Sequence, residues 1–293
     1  MTAETWQKQN CADIDCKLRP LKSMPDGVLH DGRTRFHRPV VVKKGDQIQL
    51  YFADPFSGRP FSRSRKSGYM SRISIVSPLH LLGLYTQAMM LALAWKPRPE
   101  SVCILGLGGG RLAMVLHHYF PEVVIDCIEI DPEIVDISET FFGVRRDERL
   151  RITVQEGGEY MQTLPEGRLF DIIIVDCFTG TGHHPHNLST VEFYDICRAH
   201  LTEGGVLSTN LLPSDPLLED KVKTLASSFA FSYRFLKTRV NVLFGCDAAG
   251  PTEPDIIAAA EKADSDYRFS FTLSDLARCL SALEPPAAGK SGG

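Results

Sequence analysis

Residues 104–110 read ILGLGGG, and residues 127–135 follow with CIEIDPEIV. An apolar run ends at Leu105, glycines alternate at Gly106, Gly108 and Gly110, and a helical stretch starts directly at Arg111. Such glycines let the chain turn tightly against a ligand, and the unpaired N–H groups of the new helix point into the gap. Glu129 ends the next apolar strand, 23 positions after Gly106. An acid in that place takes both hydroxyls of a ribose. Together the two segments describe a nucleoside site.

The dinucleotide fingerprint G-x-G-x-x-G is not completed, because Arg111 stands where its third glycine belongs. The remaining G-x-G-x-G form suits an S-adenosyl compound, which has no pyrophosphate to cradle. Around this loop, strand and helix patterns alternate: SVCILG, RLAMVLHHYF, VVIDCIEI, PEIVDISETFF, RLRITVQEG, FDIIIVD, VEFYDICRAHL, GVLSTNLL and PLLEDKVKTLASSFAF. Alternation of this kind predicts an α/β fold with a mostly parallel sheet covered on both faces. FSYRFLK and VNVLFG, separated only by Thr238 and Arg239, predict a closing antiparallel pair.

Upstream, PVVVKK and QIQLYFA flank Gly45-Asp46 as the arms of a hairpin. From Pro78, the positions Leu81, Leu84, Tyr85, Ala88, Leu91 and Ala92 recur at helical spacing. Four segments result: an irregular start over 1–26, a β domain over 27–77, a Rossmann-like domain over 78–246, and linker, short helices and disordered tail over 247–293. Asp131-Pro132 and Asp215-Pro216 are expected to open helices, and Ser189 with Glu192 to form a capping box.

The chain has 293 residues, 43% hydrophobic, with a formal net charge of −4. The charge argues against general affinity for nucleic acid. The longest apolar stretch, 79–95, is interrupted by His80, Gly83, Thr86 and Gln87, so no membrane span is expected. The first residues, MTAETWQKQN, lack the basic start and apolar core of a secretory signal, and a cytoplasmic protein is expected. Eight cysteines occur without a CxxC pair and read as small hydrophobes; Cys11 and Cys16 fall in the polar start. A basic run, Arg59, Arg63, Arg65, Lys66 and Arg72, reads as a solvated loop or as a contact for phosphates or an acidic partner.

The phrases LYTQAMMLAL, ILGLGGG, CIEIDPEIVDIS, ITVQEGGEYM, FDIIIVDCF, NLSTVEFYDICRAHL and GGVLSTN give the chain, from about Val40 to Phe244, a resemblance to the spermidine synthase family of aminopropyltransferases. The resemblance implies a Rossmann-like methyltransferase fold with a small N-terminal β-hairpin domain. It implies that Glu129 holds the ribose and that Glu156, with Gly157 beside it, reaches the adenine amino group. Asp176 would be the catalytic acid that takes a proton from, or orients, the attacking amine, and Tyr85 would line the site. It also implies a homo-oligomer, most simply a dimer.

Two positions depart from the family pattern. Gly109 replaces the aspartate that binds the amino end of the aminopropyl group, and Thr179-Gly180 replace a second aspartate and proline that help hold the polyamine. A loop without an acid tolerates a carboxylate-bearing tail better, because helix-start N–H groups favour anions. Conversely, Asp171, Asp176, Glu192 and Asp195 occur with no Lys or Arg between Arg168 and Arg198, which predicts an acidic acceptor mouth. His183, His184 and His186 read as a gate, a substrate contact or a solvated loop; without a further ligand at suitable spacing no metal site is expected.

The leading expectation is therefore aminopropyl transfer from decarboxylated S-adenosylmethionine to a small amine or polyamine such as putrescine. Methyl transfer from S-adenosylmethionine is the alternative, and a non-catalytic adenosyl-binding protein the third reading.

Overall fold

The computed structural model describes residues 2–54, 56, 59–61, 68–178, 184–247 and 251–284. It opens with a helix, α1 (Ala3–Ser23), capped by the Thr2 side chain. This corrects the irregular start expected over 1–26. The period was weak because each turn offers a single inward residue, Asn10, Ile14, Leu18 and Leu21, and the stripe has meaning only against the helices it meets. Cys11 and Cys16 lie on its exposed side.

Strands β1 (Gly27–Asp31), β2 (Arg38–Lys44), β3 (Gln47–Ala53) and β4 (Ser71–Ser74) form an antiparallel sheet in sequence order. Lys44 pairs with Gln47, so Gly45-Asp46 makes the expected two-residue turn, with Gly45 at φ +59°. Helix α2 (Leu84–Met89) starts six residues later than Pro78. In between, the carbonyls of Pro78, Leu81 and Leu82 accept from Arg111, Gln87 and Arg72 side chains rather than from helical N–H groups.

The main body then alternates: β5 (Ser101–Leu105), α3 (Arg111–Tyr119), β6 (Val124–Glu129), α4 (Pro132–Phe141), β7 (Leu150–Val154), α5 (Gly157–Thr163), β8 (Phe170–Val175), α6 (Val191–Ala199), β9 (Leu201–Asn210) and α7 (Leu218–Ser228). It closes with β10 (Phe231–Lys237), β11 (Val240–Cys246), α8 (Glu253–Tyr267), α9 (Leu273–Ala277) and β12 (Leu280–Ala282). The sheet order is β12-β10-β11-β9-β8-β5-β6-β7. Strands β9, β8, β5, β6 and β7 are mutually parallel, while β11, β10 and β12 add antiparallel. The fold is the expected Rossmann-like α/β sheet with a small antiparallel N-terminal sheet. The C-terminal segment is more ordered than a linker with short helices: α8 has 15 residues and β12 joins the main sheet as an edge strand.

Period-two burial explains the two layers. Val102, Ile104, Ile172 and Ile174 pack with Ile14 and Leu18 of α1, Leu112 and Leu116 of α3 and Ile134 of α4. Their neighbours Cys103, Leu105, Ile173 and Val175 face Met161 of α5, Phe193 of α6 and Leu225 of α7. The N-terminal sheet joins the first layer through Val41, Ile48, Leu50 and Ile73. Each such burial stabilises by about 1.5–3 kcal/mol.

Of the three expected caps, Asp131 holds, with Oδ1 accepting from the Glu133 amide at 3.1 Å. Helix α6 is capped instead by Thr190, which accepts from the Phe193 amide at 3.2 Å. Asp215 takes the Leu217 amide at 2.9 Å and the Lys221 ammonium at 2.7 Å, so it closes the turn ahead of α7 rather than capping the helix.

The consequence for function lies at the carboxyl ends of β5, β6, β8 and β9. There Gly106, Glu129, Asp176 and Asn210 converge at the point where strands leave β5 in opposite directions, the usual ligand crevice of an open α/β sheet.

Candidate active site

A cavity of about 1760 Å³ opens over these strand ends, walled on the other side by β2–β4 and α2. Its floor is the glycine loop. The Gly106 amide donates to the Ile128 carbonyl at 2.8 Å, and the Asp176 amide to the Leu105 carbonyl at 2.9 Å. Gly106 has φ +92°, and a Cβ there would lie 2.4 Å from the Asp176 carbonyl oxygen; only glycine lets β5 pass this close to the end of β8. Gly108, at φ +52°, faces open space, with nothing within 4 Å of where its Cβ would be. The loop therefore turns bare backbone toward the cavity at this position. Gly110 precedes α3 and completes the turn.

Glu129 is buried at the end of β6. Its Oε2 accepts from the Leu107 amide at 2.9 Å and its Oε1 from the Asp131 amide at 3.0 Å. Burial pushes its carboxyl up, against the pull of these amides and that of Gly108. Glu129 therefore ties the glycine loop to β6 and also lines the cavity. Glu156 caps α5, accepting from the Glu159 amide at 2.8 Å and from the Asn187 amide group at 3.2 Å. It also lines the cavity, with Gly157 behind it against Leu105.

Asp176 projects from the end of β8. The Asn210 side chain donates to its Oδ1 at 3.0 Å. Burial nonetheless pushes its carboxyl up to about 6, into the range of a working base. Tyr85 enters from α2, donating its hydroxyl to the Met70 carbonyl at 3.0 Å. Burial, and then the nearby Asp176 charge, hold its phenol well above its usual range, so it acts as a neutral donor. All eight of the expected site residues line this one cavity.

The description "Spermine/spermidine synthase domain" matches residues 84–236, 153 of the 293 positions. The chain belongs to this family. Among curated relatives, it is similar to the polyamine aminopropyltransferase of Vibrio vulnificus, 30% identical over 152 residues, 52% of this chain and 50% of that protein. It is also similar to the human eEF1A lysine and N-terminal methyltransferase, 29% identical over 222 residues, 66% of this chain and 32% of that protein. The chain thus spans half or less of the length of these two relatives. Among solved structures it resembles human methyltransferase-like protein 13 in complex with SAH, with a TM-score of 0.58 and 25% identity, covering 65% of this chain and 98% of that one.

In this spermine/spermidine synthase domain the position of the missing acid is closed. A Cβ on Gly109 would lie 2.5 Å from Ser71 Oγ and 2.6 Å from Phe142 Cδ1, and Phe142 is fully buried. Thr179 and Gly180, like His183, lie outside the described residues. His184 is buried, with its Nε2 3.4 Å from Thr209 Oγ1 and its carbonyl accepting from Lys221 at 3.0 Å. Burial pushes its imidazole down to about 4, so it is a neutral wedge between β9 and α7. His186 is exposed. No group of three His, Cys, Asp or Glu suited to a metal occurs among the described residues, and no described helix is long and apolar enough to cross a membrane.

The expected acidic mouth does not form. Asp171 lies at the opposite end of β8, where it accepts from the Glu100 amide and the Thr202 hydroxyl, both at 2.8 Å. Glu192 and Asp195 are exposed on α6, Asp195 beside Arg198 at 3.1 Å. Of the four acids, Asp176 alone lines the cavity. Instead, Arg35, Arg38, Arg59, Arg72, Arg111 and Arg239 contribute to its walls, against Asp54, Glu129, Glu156 and Asp176. Arg59 and Arg72 belong to the basic run noted above; Arg63, Arg65 and Lys66 lie outside the described residues. Asn210, Ser71, Phe142 and Arg111 were not singled out by the sequence as site residues. The signal for Asn210 was its place at the end of GGVLSTN, on the strand beside that of Asp176.

Proposed function

We propose that this member of the family transfers a methyl group from S-adenosylmethionine to a nitrogen acceptor. The observation that carries this reading is the packing at Gly109. An acid there, needed to hold an ammonium-ended aminopropyl tail, meets the Ser71 hydroxyl and the Phe142 ring. The donor supplies a carbon made electrophilic by an adjoining sulfonium. Glu129 holds the ribose hydroxyls, Gly108 gives the adenosyl group its backing, and Glu156 with Gly157 borders the base. Asp176, held by Asn210, takes the proton that an ammonium must lose before its nitrogen can attack. Tyr85 closes the wall beside it, its hydroxyl held by the Met70 carbonyl.

The acceptor is a nitrogen on a polypeptide rather than a free diamine. The cavity exceeds the roughly 300–1,000 Å³ typical of small-ligand sites, which leaves room for an extended segment beside the donor. Six arginines against four carboxylates in its lining disfavour a compact dication. The relative named as a lysine and N-terminal methyltransferase supports the same acceptor class. Aminopropyl transfer is the second reading, favoured by the match to the aminopropyltransferase of Vibrio vulnificus.

Incubation with methyl-labelled S-adenosylmethionine and a panel of lysine-containing and free-N-terminus polypeptides, alongside putrescine, tests this. Label is expected in polypeptide. Aminopropylation of putrescine from the decarboxylated donor, with no polypeptide labelling, establishes the second reading instead.

A further inference from the structure

Arg111, the first residue of α3, is 5% exposed although it lines the cavity. One terminal nitrogen donates to the Pro78 carbonyl, the other contacts Met114 Sδ at 3.2 Å, and Nε has no partner. Arg72 on β4 stands in the same wall. Its Nη2 donates to the Leu82 carbonyl at 2.6 Å, its guanidinium lies 4.5 Å from the Tyr69 ring centroid, and its Nε is also unpartnered. Among the described residues no carboxylate forms an ion pair with either arginine, and the remaining positions of the chain contain no Asp or Glu. Burial pushes the Arg111 guanidinium down to about 10, which still leaves it charged at neutral pH.

A buried cation without a counter-charge is costly. Both arginines border a narrow hollow of about 10 Å³ behind Tyr85, a space the size of one water. Water there can satisfy a hydrogen bond but does not neutralise charge, and the main cavity is the side from which an anion can approach both arginines. Along the glycine loop, Glu129 engages Leu107 at one end and Arg111 begins α3 at the other. A ligand with its ribose on Glu129 and its sulfur-bearing chain laid along the loop would bring the end of that chain to Arg111. The end of that chain carries an α-carboxylate in S-adenosylmethionine and none in its decarboxylated form.

We propose that Arg111, with Arg72 beside it, is the donor-selecting pair of this site, receiving the α-carboxylate of the methionine tail by charge-assisted hydrogen bonds. The inference rests on the reading of the cavity as an S-adenosyl site. Two guanidinium groups and the first turn of α3 attract a carboxylate and repel a lone ammonium. The charge that chooses the donor is thus placed at the start of the helix, while Gly109 in the loop is closed to side chains.

The test is titration calorimetry of S-adenosylhomocysteine, its decarboxylated counterpart and methylthioadenosine on the wild-type chain and on Arg111→Met, Arg111→Lys and Arg72→Met. The wild type is expected to bind the carboxylate-bearing thioether at least about tenfold more tightly than the decarboxylated one, the effect of one charge-assisted hydrogen bond. Arg111→Met is expected to bring that ratio within about twofold of unity, with Arg111→Lys and Arg72→Met in between. Equal binding of the two thioethers by the wild type, or an unchanged ratio in a folded Arg111→Met, overturns the proposal while leaving the adenosyl site standing. If Arg111→Met does not fold, the wild-type ratio and the Arg72→Met ratio decide. Failure of the wild type to bind any of the three overturns the reading of the cavity, and this inference with it.

Discussion

The Asn210 amide group donates to Asp176 Oδ1 at 3.0 Å across the ends of two neighbouring parallel strands. This bond holds the carboxylate toward the cavity and opposes the burial that drives its pKa up to about 6. Asp176 is a base only when ionised. kcat/KM is therefore expected to rise with pH through about 6 and then level, as far as this group governs it. Asn210→Leu removes the bond that favours the charged form, so the inflection in its pH–rate profile is expected to move upward.

Asp176→Asn is expected to lower kcat by ~10²-fold or more while donor affinity, measured by calorimetry, stays within a few-fold. The substitution also has a stability signature. A carboxyl whose folded pKa lies above its unfolded value contributes stability below the unfolded pKa and loses it as pH rises through the folded one. The Asn variant is thus expected to have a higher Tm than wild type at pH 7, and no such advantage at pH 4. Thermal unfolding at the two pH values checks the sign.

Glu129→Ala takes away the acceptor for the Leu107 and Asp131 amides as well as the ribose contact. Adenosyl affinity is expected to fall by ~10-fold or more, and denaturant unfolding to show a loss of about 1–3 kcal/mol from the unsatisfied buried donors. Loss of affinity with unchanged stability means that the loop does not depend on this carboxylate.

Gly109→Asp, the change that restores the family's acid, is expected to fail as a switch of donor. The new side chain meets Ser71 and Phe142, an overpacking that costs about 1–3 kcal/mol. Phe142→Ala in the same chain makes room, and the double variant is expected to regain foldedness relative to the sum of the single losses. Urea unfolding of the four proteins measures the coupling.

Much of this was legible in the sequence because the deciding signals are local. The glycine loop, Glu129 and Asp176 sit within a few residues of strand ends that period-two burial marks, and both two-residue hairpin turns follow from adjacent strand patterns. What the sequence hid depends on chain segments distant from one another. Helix α1 shows its stripe only against α3, α4 and the turn after α4, where Trp6 donates to the His117 carbonyl of α3 at 3.0 Å and Lys17 to the Val144 carbonyl of that turn at 2.7 Å. Gly109 is flanked by Ser71 and Phe142, more than 30 residues away on either side, so the missing acid was visible but not the reason it cannot return. The acidic run from Asp171 to Asp195 misled because strand direction separates its members: Asp171 and Asp176 end up at opposite ends of β8. Arg111 was legible only as the residue that breaks the fingerprint; that it is buried and has no carboxylate partner depends on segments distant in the chain.

The most direct measurement offers S-adenosylmethionine and decarboxylated S-adenosylmethionine together to the full chain, with polypeptide and polyamine acceptors present, and identifies the thioether released. S-adenosylhomocysteine is expected to accumulate, and to stop accumulating in Asp176→Asn. Release of methylthioadenosine, with aminopropylated amine as its partner product, contradicts methyl transfer.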